Sequence, residues 1–102
     1  MTALDNGTRV SATATNATSA VATISAVAGQ KVFITDITGS SDKAGAKILV
    51  KDGTTVIWQD IVGAGYYQHT FATPIVGSVG AAVSVTVDGT ALCNSNIAGV
   101  QL

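Results

Sequence analysis

Between Lys47 and Phe71 the chain reads KILVKDGTTVIWQDIVGAGYYQHTF, and no other stretch restricts the fold as strongly. Lys47, Leu49 and Lys51 alternate with Ile48, Val50 and Asp52. Beyond Asp52-Gly53, Ile57, Gln59 and Ile61 alternate with Val56, Trp58, Asp60 and Val62. Successive side chains of a strand point to opposite faces, so period two on both sides of an Asp-Gly pair predicts a β-hairpin closed by a tight turn. The same stretch holds the sole Trp, both Tyr, the sole His and Phe71.

The flanking sequence continues in short strands. Val10 to Thr15 alternates small apolar and polar residues, within a Thr/Ala-rich segment (residues 1–18) that reads either as an N-terminal arm ordering on a neighbouring subunit or as an edge strand. Residues 19–102 read as one domain. SAVATISAV (19–27) is a strand ended by Ala28-Gly29-Gln30. In KVFITDIT (31–38), Val32 and Ile34 are expected on one face, with Phe33, Thr35 and Ile37 on the other. GSSDKAG (39–45) reads as a loop, and Gly63-Ala64-Gly65 as a tight reversal. YYQHTF (66–71) is a strand that Thr73-Pro74 should stop, because proline lacks the donor that a central strand needs. Val83, Val85 and Val87 alternate with Ser84, Thr86 and Asp88, and Asp88-Gly89 is a second hairpin signal. Leu92, Ile97, Val100 and Leu102 are the core candidates of a last strand. The expectation is an all-β fold of about eight short strands in an antiparallel β-sandwich, jelly-roll-like or immunoglobulin-like, with a small barrel as the alternative.

Composition agrees. Only 11% of the 102 residues are charged and Glu is absent, which removes the usual material of helix surfaces. The net charge is −1, and Lys43, Lys47 and Lys51 stand beside Asp42 and Asp52, so no nucleic-acid partner is expected. No apolar run approaches the roughly 20 residues that span a bilayer, and MTALDNGTRV lacks the apolar centre of a signal peptide; no membrane partner is expected. Cys93 is alone, so no internal disulfide forms.

Catalytic constellations are not legible. His69 is the one imidazole, no G-x-S-x-G elbow occurs, and Cys93 lies 24 positions away. The Asp residues are scattered, without zinc or calcium spacing, and no glycine-rich phosphate loop precedes a helix. The expectation is a protein without catalysis or cofactor. Trp58, Tyr66, Tyr67 and His69 are the candidate contact residues: exposed, they would stack on sugar rings, and buried, they are the heaviest part of the core. Tyr66 and Tyr67 should face opposite ways.

From Ala26 onward the sequence resembles a known group. Ile34–Ile37 (ITDI), VKDGTTVIW at 50–58, GAG before an aromatic strand, and FATPIVGSVGAAVSVTV at 71–87 occur in the order found in small β-rich virion proteins of tailed phages. The resemblance implies a capsid decoration or cement protein that binds and reinforces the outer capsid surface. Its partners would be the major capsid protein or another virion protein, and copies of itself, a trimer being one arrangement. Its location would be the particle surface after synthesis in the bacterial host cytoplasm. The alternative is a carbohydrate-binding or adhesion module on a tail, fibre or capsid surface, with glycans as partners.

Overall fold

The computed structural model describes residues 7–62 and 65–102. Eight strands follow one another: β1 (Thr8–Asn16), β2 (Ser19–Ile24), β3 (Val32–Ser41), β4 (Ala46–Asp52), β5 (Thr55–Val62), β6 (Gly65–Val76), β7 (Val83–Asp88) and β8 (Cys93–Gln101). Every pairing is antiparallel and nested in sequence: β4 with β5, β3 with β6, β2 with β7, β1 with β8. The chain is thus a long double ribbon whose tip is the central hairpin. Rolling that ribbon adds the contacts β3–β8 and β4–β7. The result is a jelly-roll sandwich of sheet A (β1-β8-β3-β6) and sheet B (β2-β7-β4-β5).

The rolled ribbon needs one apolar face per strand. Val32, Ile34, Ile37 and Ile97 of sheet A meet Ile48, Val50, Val83, Val85 and Val87 of sheet B, all essentially without solvent exposure. Ala20 and Ala22 fill the β2 side, where bulk is not needed. These β-branched side chains suit a pleated, closely packed interface. Gly39 is buried on the inner face of β3. A Cβ there would lie 2.6 Å from a Val87 methyl, so only glycine lets the two sheets approach.

Several expectations are corrected by this arrangement. The tight turn has Gly53 and Thr54 at its centre, since Asp52 pairs with Thr55, and Gly53 supplies the positive φ of 62°. A bulge between Ile34 and Asp36 turns Ile37 to the same buried face as Val32 and Ile34. A second bulge between Val50 and Lys51 separates Val56 from the face of Trp58. β3 extends to Ser41, taking Gly39, Ser40 and Ser41 out of the expected loop. Pro74 does not stop β6, because β6 is an edge strand whose missing donor leaves no ladder position empty. Asp88-Gly89 closes no hairpin: β7 and β8 belong to different sheets, and the chain crosses between them there. Leu92 and Leu102 are exposed, and β8 buries Cys93, Ser95, Ile97 and Gln101 instead.

Thr8–Asn16 is an edge strand paired along its length with β8. Residues 1–6 of the Thr/Ala-rich segment, and most of the reversal expected at Gly63-Ala64-Gly65, lie outside the described residues.

Candidate functional site

The register of the strands divides the four candidate contact residues between two places. Val50 is buried and faces Trp58 across the β4–β5 ladder, so Trp58 turns inward; Ile37 and Gly39 are buried and face His69 and Tyr67 on β6. β5 and β6 are the outer strands of their sheets on one flank of the sandwich, so these inward residues meet across the seam between the sheets. Trp58 lies 6.3 Å from Tyr67, 5.2 Å from His69 and 5.4 Å from Phe71 between ring centroids, edge-on to Phe71 at 88°. His69 and Phe71 are 4.6 Å apart. These are ordinary spacings for packed aromatic rings. All four are half-buried, and Trp58, Tyr67 and Phe71 pack on the core.

Among the described residues, a polar contact crosses this seam. The Tyr67 hydroxyl donates to Asp60 Oδ2 at 2.7 Å, and the Ile61 amide donates to Asp60 Oδ1 at 2.8 Å. Both bonds favour the carboxylate, chiefly the one from Tyr67, and hold Asp60 below its ordinary range. The Tyr67 hydroxyl is pushed up to about 12, first by burial and then by its bond to Asp60. Cys93 is elsewhere: it is buried, with its thiol directed to the Ala91 carbonyl at 3.1 Å and to Ser41 Oγ at 3.8 Å.

Tyr66 points the other way, 70% exposed, on the outer face of sheet A. Its row across the sheet runs Tyr66, Ser40, Asn94, Thr15, and the next row runs Gln68, Thr38, Asn96, Thr13. The rows are tied together by side chains. Thr15 Oγ1 donates to Asn94 Oδ1 at 2.6 Å, and Asn94 Nδ2 donates to Ser40 Oγ at 3.0 Å. Asn96 Nδ2 donates to Thr38 Oγ1 at 2.8 Å, and the Tyr66 hydroxyl donates to Gln68 Oε1 at 3.0 Å, joining the two rows. Thr13, Thr15, Thr38, Ser40, Tyr66 and the two asparagines border an open trough of about 400 Å³. Among the described residues, no charged one lines it. Each asparagine amide has two donors and two acceptor positions, so Asn94 and Asn96 keep hydrogen-bonding capacity toward the trough.

Of the trough residues the sequence singles out Tyr66 alone, as an aromatic candidate. A signal for the others exists: Thr13 and Thr15, Thr38 and Ser40, Asn94 and Asn96 each recur with period two inside strands, on the face opposite the core. Among the described residues, no group of three or more His, Cys, Asp or Glu side chains is placed to hold a metal ion.

No family model matches this sequence, and no curated protein matches it. Solved structures match in fold. A carbohydrate-binding module of type CBM36, in complex with calcium and xylotriose, is 13% identical, with a TM-score of 0.52 over 93% of this chain and 98% of that one. The GH26-CBM35 β-(1,4)-mannanase of Podospora anserina is 13% identical, with a TM-score of 0.53 over 93% of this chain but only 28% of its own. The Drosophila NLP core, described for pentamer formation and histone binding, is 14% identical, with a TM-score of 0.51 over 92% of this chain and 97% of its own. At such identities the likeness concerns the β-sandwich alone, and the three proteins differ in what they do.

Proposed function

We propose that this chain is a non-catalytic binding module that holds an uncharged glycan on the outer face of sheet A. The observation that carries the reading is the uncharged double row of Tyr66, Ser40, Asn94 and Thr15 over Gln68, Thr38, Asn96 and Thr13. A sugar ring offers hydroxyls that both donate and accept, and a C–H face. The two amides answer the hydroxyls in kind, and the exposed Tyr66 ring answers the C–H face. The side-chain bonds within the rows fix the amides before any ligand arrives, which lowers the ordering cost of binding. The fold is one that carbohydrate-binding modules also use, which supports the reading by analogy. Trp58, Tyr67 and His69 hold the seam and do not take part.

The test is titration of the protein against neutral oligosaccharides selected from a glycan array. Tyr66→Ala and Asn94→Ala should each weaken binding about tenfold or more, with an unchanged melting temperature. Absence of binding to any neutral glycan, or binding indifferent to both substitutions, would overturn the reading.

A second reading is a structural protein on the surface of a phage particle. It is supported by the segments 34–37, 50–58 and 71–87, and by the exposed apolar side chains Val21, Val56, Ile57 and Ile61 on sheet B, which suit contact with protein. Counting copies per purified particle by mass spectrometry tests it: absence from particles removes it.

A further inference from the structure

Four strands form the edges of this sandwich: β1 and β6 in sheet A, β2 and β5 in sheet B. An edge strand exposes unpaired backbone groups, and soluble proteins guard such edges with shortness, lysine, proline or irregularity. Three of the four are guarded. β1 exposes Thr8, Arg9, Ser11, Thr13 and Thr15, and no large apolar group is among them. β2 has six residues. β6 carries Pro74 and loses register with β3 between Thr70 and Ile75.

β5 is different. Its eight residues, TVIWQDIV, include no Gly, Pro, Lys or Arg, and Asp60 is its one charge. Val56, Ile57 and Ile61 are 44%, 37% and 65% exposed. The bulge lies at the start of the strand and leaves Trp58 to Val62 regularly paired with β4, with the opposite edge free among the described residues.

The sequence of β5 is also complementary to itself. Placed antiparallel to a second copy about a two-fold axis at Gln59, it sets Ile61 against Ile57 of the partner subunit, and Ile57 against Ile61 of the partner subunit. Gln59 meets Gln59 of the partner subunit, and a primary amide can donate to and accept from its own kind. Trp58 meets Asp60 of the partner subunit, an indole donor beside a carboxylate. A two-fold interface requires this self-complementarity.

We propose that β5 is the interface through which two copies of this chain pair edge to edge about Gln59, joining their sheets B into one continuous sheet. The trough on sheet A lies on the other sheet, so the dimer would display two troughs and leave both open.

Sedimentation equilibrium of the full chain at high micromolar concentration should give a dimer. The double substitution Ile57→Lys/Ile61→Lys should give a monomer with unchanged circular dichroism and melting temperature, since both side chains are exposed. Opposed residues of an antiparallel pair have Cα atoms about 4.5–5.5 Å apart, within disulfide reach. Gln59→Cys should therefore cross-link to a dimer under mild oxidation, and Ile61→Cys, which faces position 57, should not; Cys93 is buried and does not interfere. A monomeric wild type, an oligomer indifferent to the lysine pair, or equal cross-linking at positions 59 and 61 would overturn the proposal.

Discussion

Tyr66 and Tyr67 are neighbours in sequence and belong to different parts of the molecule. Tyr67 faces inward, where with Trp58, His69 and Phe71 it plugs the gap between two sheet edges. Tyr66 faces outward beside Ser40, in a layer of amides and hydroxyls on the opposite face of the sheet from the core. The seam must be filled, because the rolled ribbon leaves its β5–β6 flank open and unfilled apolar space is costly. The outer face of sheet A has no such obligation. A solvated strand face accepts many polar residues, and here it carries an uncharged double row bonded across the strands. The difference teaches that the face of the strand, and not the residue type, decides which of two adjacent tyrosines is structural and which is exposed.

The sharpest way to break the comparison is Trp58→Ala. The ring is half-buried against Tyr67, His69 and Phe71, so its loss should cost about 2–3 kcal/mol of stability by chemical denaturation, below the range for a fully buried Trp. A cost near zero would mean that Trp58 is free to serve as a contact residue and would erase the distinction between the two regions.

A smaller effect tests the seam by pH. The folded state holds the Tyr67 hydroxyl protonated up to about 12, above the ordinary value of 10.0. This contribution is complete below pH 10 and is lost as the pH rises through 12, because the unfolded chain ionises first. Tyr67→Phe should flatten the stability profile across that window; thermal melts from pH 9 to 12 would show this. Asp60 acts at the other end. Its lowered value gives stability that is present above the ordinary carboxylate range and lost as the pH falls through the folded one.

The smallest expected effect is that of Tyr66→Ala on stability, within about 0.5 kcal/mol. A larger loss in thermal or denaturant melts would place Tyr66 among the structural aromatics and weaken the case for the trough.

Much of this was legible along the chain. The hairpin at 46–62 follows from alternation about Asp52-Gly53, and the valines of β7 from their period of two. Where the reading failed, a local rule met a non-local requirement. The bulge between Ile34 and Asp36 changes the face of Ile37, and no composition signal marks it. Asp88-Gly89 has hairpin chemistry, but the roll requires the chain to change sheets there. Proline at position 74 is a breaker only in a strand with neighbours on both sides, and the number of neighbours is a property of the sheet. Beyond Tyr66 the trough was missed because its residues come from four strands: Thr13, Thr38, Ser40, Asn94 and Asn96 meet Tyr66 only when β1, β8, β3 and β6 lie side by side.

The sequence by itself determined that the chain makes strands, where their cores lie, and that its middle is a hairpin, because side-chain alternation and turn chemistry act over a few residues. Only the tertiary structure decided which strand lies beside which, which of two adjacent tyrosines is buried, and which polar residues form a common surface. Those depend on pairings between residues as far apart as Thr15 and Asn94, and their energy comes from burial shared by all eight strands rather than from any segment alone.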